Sequence, residues 1–180
     1  MTTPNNPDPE LAAELRRLAG DEWTEDAAED ERLTEVLRRR RLGLKDLLKD
    51  MAHRGRRVSV DFGGHAFNGG LINVGTDYAG IQGPGQVAEV RLNAGRWSDL
   101  PPSEGITTQP VSAPDTFVGA LRAHEAAKSL IRLSMPNGDM IIGKIDTVSA
   151  DHLEFAEADE RKIYVPTELI LGIVRSIDPH

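Results

Sequence analysis

The feature that most constrains this chain is an internal repeat. Residues 69–81 read GGLINVGTDYAGI and residues 143–155 read GKIDTVSADHLEF. At an offset of 74, Gly69 meets Gly143, Leu71 meets Ile145, Val74 meets Val148, Asp77 meets Asp151 and Ile81 meets Phe155. Shared turn order and paired apolar positions point to one supersecondary unit used twice.

Both units alternate apolar and polar residues with a period of two, the signature of half-buried strands. The first unit gives strands at Val58–Phe62, Phe67–Val74, Tyr78–Ile81 and Val87–Leu92, punctuated by Gly63-Gly64 and Gly83-Pro84-Gly85. After them Asp99–Gly105 reads as a loop, so the fifth strand is expected at Ile106–Val111. In the second unit Ile131–Met135 leads through an Asn137-Gly138 hairpin into Met140–Val148. Strands then follow at Leu153–Phe155, Ile163–Val165 and Ile170–Ile177, the last after a helical turn at Pro166–Leu169. A helix precedes each unit: Leu44–His53 before the first, and Pro114–Lys128 before the second, with Phe117, Ala120 and Leu121 on its apolar face.

Five short strands with one buried face leave costly edges if they lie open. Bending at Gly69, Gly70 and Gly143 would let each meander curl shut. The preceding helix, the Asn137-Gly138 hairpin, the bent strand with Gly143 and the turn before the last strand resemble the SH3-like small barrels, in particular the Sm-like type. The pattern is also similar to a group of actinobacterial proteins with a helix ahead of such strands, which implies no activity. The resemblance implies an α+β, mainly β fold of two tandem small barrels, each preceded by a helix, behind an N-terminal helical arm. Sm-like proteins hold RNA bases with an Asp and a following Asn. Here Asp151 stands eight residues beyond Gly143, and no Asn follows in residues 153–158. The expected divisions are an acidic arm over 1–31, a basic helical segment over 32–57, a first barrel over 58–111, a linker helix over 112–129 and a second barrel over 130–180.

Charge is divided along the chain. The formal total is −8. Residues 1–31 carry ten acids and two arginines, residues 32–57 ten bases and three acids, and residues 58–180 nine bases and sixteen acids. A polyanion-binding role is therefore confined to Arg38, Arg39, Arg40, Arg41, Lys45, Lys49, Arg54, Arg56 and Arg57. For Arg38 to Arg41 the other reading is a solvated helix end that pairs with the acids of Asp21 to Glu31. In the arm, Asp8-Pro9-Glu10 starts a short helix whose Leu11, Leu15 and Leu18 recur on one face, a candidate protein-binding stripe.

Chemistry is sparse. There is no cysteine, which excludes disulfides, thiolate metal sites and thiol nucleophiles. None of His53, His65, His124, His152 and His180 sits at metal-ligand spacing. His124 is expected to flank the core, and His65 to face solvent in a turn. No serine lies in a nucleophile motif, and no glycine run opens a phosphate-binding helix. Tyr78, Trp97 and Tyr164 are the aromatics expected to be exposed. No apolar run reaches the roughly 18 residues of a membrane span, and Met1–Glu10 has no signal-peptide pattern. The expectation is a cytoplasmic, non-catalytic adaptor or scaffold with no catalytic, metal or cofactor site. It would bind a protein partner and no membrane, with a homo-oligomer left open. The alternative is an RNA- or DNA-binding regulator anchored by the arginine segment.

Overall fold

The computed structural model describes residues 10, 31–38, 40–101 and 111–177. The chain forms two compact units, Met1–Leu42 and Gly43–His180. In the first, residues 31–38 and 40–41 are helical, and Leu33, Val36 and Leu37 of the expected apolar stripe are exposed.

The second unit opens with helix α1 (Leu44–His53). Gly43 precedes it in extended backbone, and Gly55, at φ +63°, ends the turn that follows. Leu48 buries its side chain, while Leu44 and Leu47 remain exposed. Five antiparallel strands come next: β1 (Arg57–Phe62), β2 (His65–Val74), β3 (Tyr78–Gly83), β4 (Gln86–Arg91) and β5 (Arg96–Leu100). Helix α2 (Phe117–Ala127) is capped by Thr116, whose Oγ1 accepts a hydrogen bond from the Gly119 amide at 3.1 Å. The second set is β6 (Ile131–Ser134), β7 (Met140–Val148), β8 (His152–Glu157), β9 (Lys162–Pro166), a 3₁₀ turn at Thr167–Leu169, and β10 (Gly172–Ser176).

These strands make one ten-stranded antiparallel sheet in the order β5-β1-β2-β3-β4-β10-β6-β7-β8-β9. The expected pair of small barrels is therefore replaced by a single sheet that is not closed. The reason lies at β10. It pairs with β6 of its own repeat and also with β4 of the first, so the edge that each unit would use to close on itself is already occupied. Gly172 permits this approach: a Cβ there would stand 3.0 Å from the Glu89 carbonyl oxygen and 3.0 Å from the Phe62 ring. The first fifth strand is also corrected. It is Arg96–Leu100, paired with β1, whereas residues 106–110 of the expected strand lie outside the described residues and Val111 is not in a strand. The linker helix starts at Phe117 rather than Pro114, because Thr116 takes the cap position in extended backbone.

The duplication itself is present in three dimensions. Irregularities interrupt the β2–β3 ladder between Leu71 and Asn73, and the β7–β8 ladder between Ile145 and Thr147, 74 residues on. A Cβ at Gly69 would lie 2.2 Å from the Gln82 carbonyl oxygen, and one at Gly143 would lie 2.0 Å from that of Ala156. Glycine is required at both because the neighbouring strand's backbone comes this close. Each repeat runs fifth strand, first, second, third, fourth, and the two are joined fourth to fifth.

The apolar interior follows the same junction. One cluster gathers Phe117 and Leu121 of α2 with Ile131, Leu133, Ile145, Leu153, Phe155 and Ile173, and it takes in Tyr78 from the first repeat. The other gathers Leu48, Val58, Val60, Phe62, Leu71, Ile81 and Val90, and takes in Val174 from the second. Each repeat thus places a side chain in the other's core. Burial of a large side chain stabilises by about 1.5–3 kcal/mol, so this exchange ties the halves together.

Candidate functional site

The basic residues singled out from the sequence belong to both compact units. Arg38 lies before Gly43 and bonds Glu35 through Nε at 2.8 Å. Arg40 and Arg41 are exposed helical residues. Arg39, Leu11, Leu15 and Leu18 lie outside the described residues, as does the acidic arm apart from Glu10 and Glu31. After Gly43, Lys45 is half-buried and Lys49 exposed on α1. Arg54 pairs with Asp50 at 3.0 Å, and Arg56 pairs with Asp99 of β5. Arg57 starts β1, where its Nε is buried without a hydrogen-bond partner among the described residues. Exposed pairs of this kind contribute roughly 0–1 kcal/mol each.

Four of the five histidines fall on four different elements. His53 is exposed at the end of α1. His65 is exposed but opens strand β2, not a turn, with Nε2 3.1 Å from the Gly138 carbonyl oxygen. His152 sits 2.7 Å from Asp151 through Nδ1. This contact, through its hydrogen bond first and then its charge, holds the Asp151 carboxyl below its ordinary range. His124 is buried, as expected of a core-flanking residue. His180 lies outside the described residues. Among the described residues no group of three or more His, Cys, Asp or Glu converges on a metal position. No helix among them is long and apolar enough to cross a membrane.

A polar constellation stands at the junction of the repeats. His124 Nε2 lies 2.7 Å from Glu89 Oε2, joining α2 to β4. Arg91, also on β4, donates from Nε to the Ile170 carbonyl at 3.0 Å and from Nη2 to that of Thr167 at 3.1 Å. Its guanidinium carbon lies 4.4 Å from the centroid of the Phe117 ring, a cation–π contact. Burial lowers the Arg91 pKa, and Asp77, 3.8 Å away, opposes that shift. Asp77 also accepts the Phe117 amide at 2.7 Å, fixing the start of α2. Tyr78 was expected to be exposed, yet its ring is fully buried against Phe117, and its hydroxyl donates to the Pro114 carbonyl at 2.6 Å. Each of these charged groups has a main-chain or side-chain partner, so the arrangement ties the two repeats together at their junction. Nothing in the local pattern of Glu89 or Arg91 announces this role; both read as the polar positions of an alternating strand.

A cavity of about 420 Å³ opens between α1 and the end of β2, lined by Lys49, His53, Asn73, Val111 and Asp115 among others. Asp115 is committed to Thr76, whose hydroxyl donates at 2.5 Å. The remaining surface of note is the pair of sheet edges. Among the described residues no strand pairs with the outer side of β5 or of β9. Tyr164 on β9 has 65% of its surface exposed. Lys162 beside it bonds Glu154 at 2.7 Å, which raises the lysine's pKa. Trp97 on β5 is half-buried, its indole N–H donating to the Leu92 carbonyl at 3.2 Å. No protein-family model matches the sequence, and no curated protein is significantly similar to it.

Proposed function

We propose that this chain is a non-catalytic cytoplasmic scaffold that binds protein by strand addition at the edges of its sheet. The observation that supports this reading is the open ten-stranded sheet, whose terminal strands leave a row of backbone donors and acceptors unpaired among the described residues. Such a row is a template for an added strand, with side-chain pockets supplying selectivity. A rigid junction behind the edges suits the task, since an added strand gains most from a preorganised partner.

The test is cross-linking of the full chain in nuclease-treated extract, followed by identification of peptides joined to β5 or β9. Tyr164→Pro and Asp99→Pro each remove an edge amide. Each is expected to reduce the cross-linked protein by at least about tenfold, a change of ~1.4 kcal/mol. Charge reversal at Arg40 and Arg41 should leave it unchanged. Capture that vanishes with nuclease, or falls steeply with added salt and with the arginine changes, overturns this reading in favour of nucleic-acid binding.

A further inference from the structure

Resting on that reading, we propose that the strand added at the edge is a second copy of this chain. The β9 edge of one copy pairs head to tail with the β5 edge of the next, in the register of the internal β4–β10 junction. The argument is one of equivalence. Tyr78 and His152 stand 74 residues apart, and their cross-strand partners are Arg91 and Pro166. Counting back along each strand, Glu89 is equivalent to Tyr164 and Val87 to Lys162. On the other side, Val58 and Ile131 face the equivalent glycines Gly69 and Gly143, which makes Val60 equivalent to Leu133. Their partners are Trp97 and Ile173, so Trp97 matches Ile173 and Asp99 matches Arg175. Within the molecule Glu89 pairs with Ile173 and Val87 with Arg175. The same ladder between copies sets Tyr164 opposite Trp97 and Lys162 opposite Asp99.

Both new pairs are complementary, one aromatic with aromatic and one cation with anion, the kinds that stabilise antiparallel neighbours. The backbone groups also face the right way. In β4 the Arg91 amide donates to the Leu171 carbonyl at 3.0 Å, and the Gly85 carbonyl accepts from Ile177 at 2.8 Å, so odd-numbered residues face β10. In β9 the Arg161 carbonyl accepts from Glu157 at 2.9 Å, and the Thr167 amide donates to Asp151 at 2.8 Å, so odd-numbered residues face β8. Lys162 and Tyr164 are left pointing outward, as the equivalence requires. One bond of the internal junction is missing: Pro166 stands where Arg91 does and has no amide to give. The junction between copies is thus a shortened form of the internal one, weaker and reversible. Because its two surfaces differ, it is heterologous, and assembly ends only by closing on itself.

Sedimentation of the full chain over a concentration series tests this. The mass is expected to rise with concentration. Tyr164→Pro and Asp99→Pro each stay monomeric with unchanged circular dichroism. An equimolar mixture of the two then gives a one-to-one complex and nothing larger, since one variant keeps an intact β5 edge and the other an intact β9 edge. Should either proline variant lose its fold, Lys162→Glu mixed with Asp99→Lys carries the same test: each alone dissociates and the mixture associates. A wild-type chain that is monomeric at every concentration overturns the inference, as do single variants that associate like wild type or a mixture that forms no complex. A monomeric chain whose edges still cross-link to a different protein overturns the self-pairing alone and leaves strand addition standing. Edges that cross-link to nothing overturn both.

Discussion

Gly143 illustrates how tightly single residues are constrained here. An added Cβ would lie 2.0 Å from the Ala156 carbonyl oxygen and 2.7 Å from the Phe155 ring. The repeat places the same demand on Gly69 against Gln82. Gly143→Ala and Gly69→Ala should each cost about 1–3 kcal/mol, the range for forced overpacking. Urea unfolding midpoints check this, and two clearly unequal costs would argue against structural equivalence of the repeats. Tyr78 supplies a pH dependence. Burial, reinforced by the nearby Glu89 carboxylate, pushes its hydroxyl up to about 12 from an ordinary 10.0. Between those values the unfolded chain has lost a proton that the folded chain keeps, so each step upward in pH favours unfolding. Stability should be intact below pH 10 and decline toward pH 12, with a shallower decline in Tyr78→Phe. Denaturant titrations across that window measure it; an unchanged slope in the variant would remove Tyr78 as the cause. The sequence offered no route to this residue, because alternation places Tyr78 on a strand without saying that the face it joins is covered by α2.

At the scale of elements, legibility depends on whether a strand has a buried face. Met140–Val148 and Leu44–His53 are readable to the residue, since glycines and a clean apolar period bound them. Strand β5 is not, because Arg96, Ser98 and Asp99 are exposed and an edge strand paired on one side leaves little apolar alternation. A more regular apolar run nearby, Ile106–Val111, then reads as the better strand. The same distinction predicts hydrogen exchange. Amides of Glu89 and Ile173, paired within the central ladder, should be among the slowest. Those of Trp97, Asp99, Lys162 and Tyr164 should exchange rapidly in dilute protein, where the edges are unpaired. In concentrated protein these four should slow together if copies pair, while other exposed amides stay fast. Mass-spectrometric exchange at two concentrations reads this out, and protection of β9 without β5 would contradict a head-to-tail ladder.

For the whole molecule, the repeat was legible in the sequence and the way its halves join was not. Local period, turn residues and the 74-residue offset describe each five-stranded unit. Whether the fourth strand's edge meets its own unit or the other depends on a pairing of residues 86–90 with 172–176, and no local pattern encodes a contact over that separation. The arrangement has a thermodynamic consequence. Two separate small barrels would melt as two units, each near the lower size limit for independent folding. One sheet, with Tyr78 in the second repeat's core, Val174 in the first's, and Arg91 bonded to Thr167 and Ile170, has no seam along which to come apart. Residues from Gly43 onward should therefore unfold in a single transition, with calorimetric and van't Hoff enthalpies in agreement. Substitution at the junction should move that one transition rather than split it. His124→Ala, which strips the part-buried Glu89 of its 2.7 Å partner, should lower stability by about 1–3 kcal/mol, the cost of a largely desolvated group left without its partner. Scanning calorimetry of the wild type and this variant decides the matter: two resolved transitions in either chain would mean that the repeats fold independently and that the shared sheet is not the unit of stability.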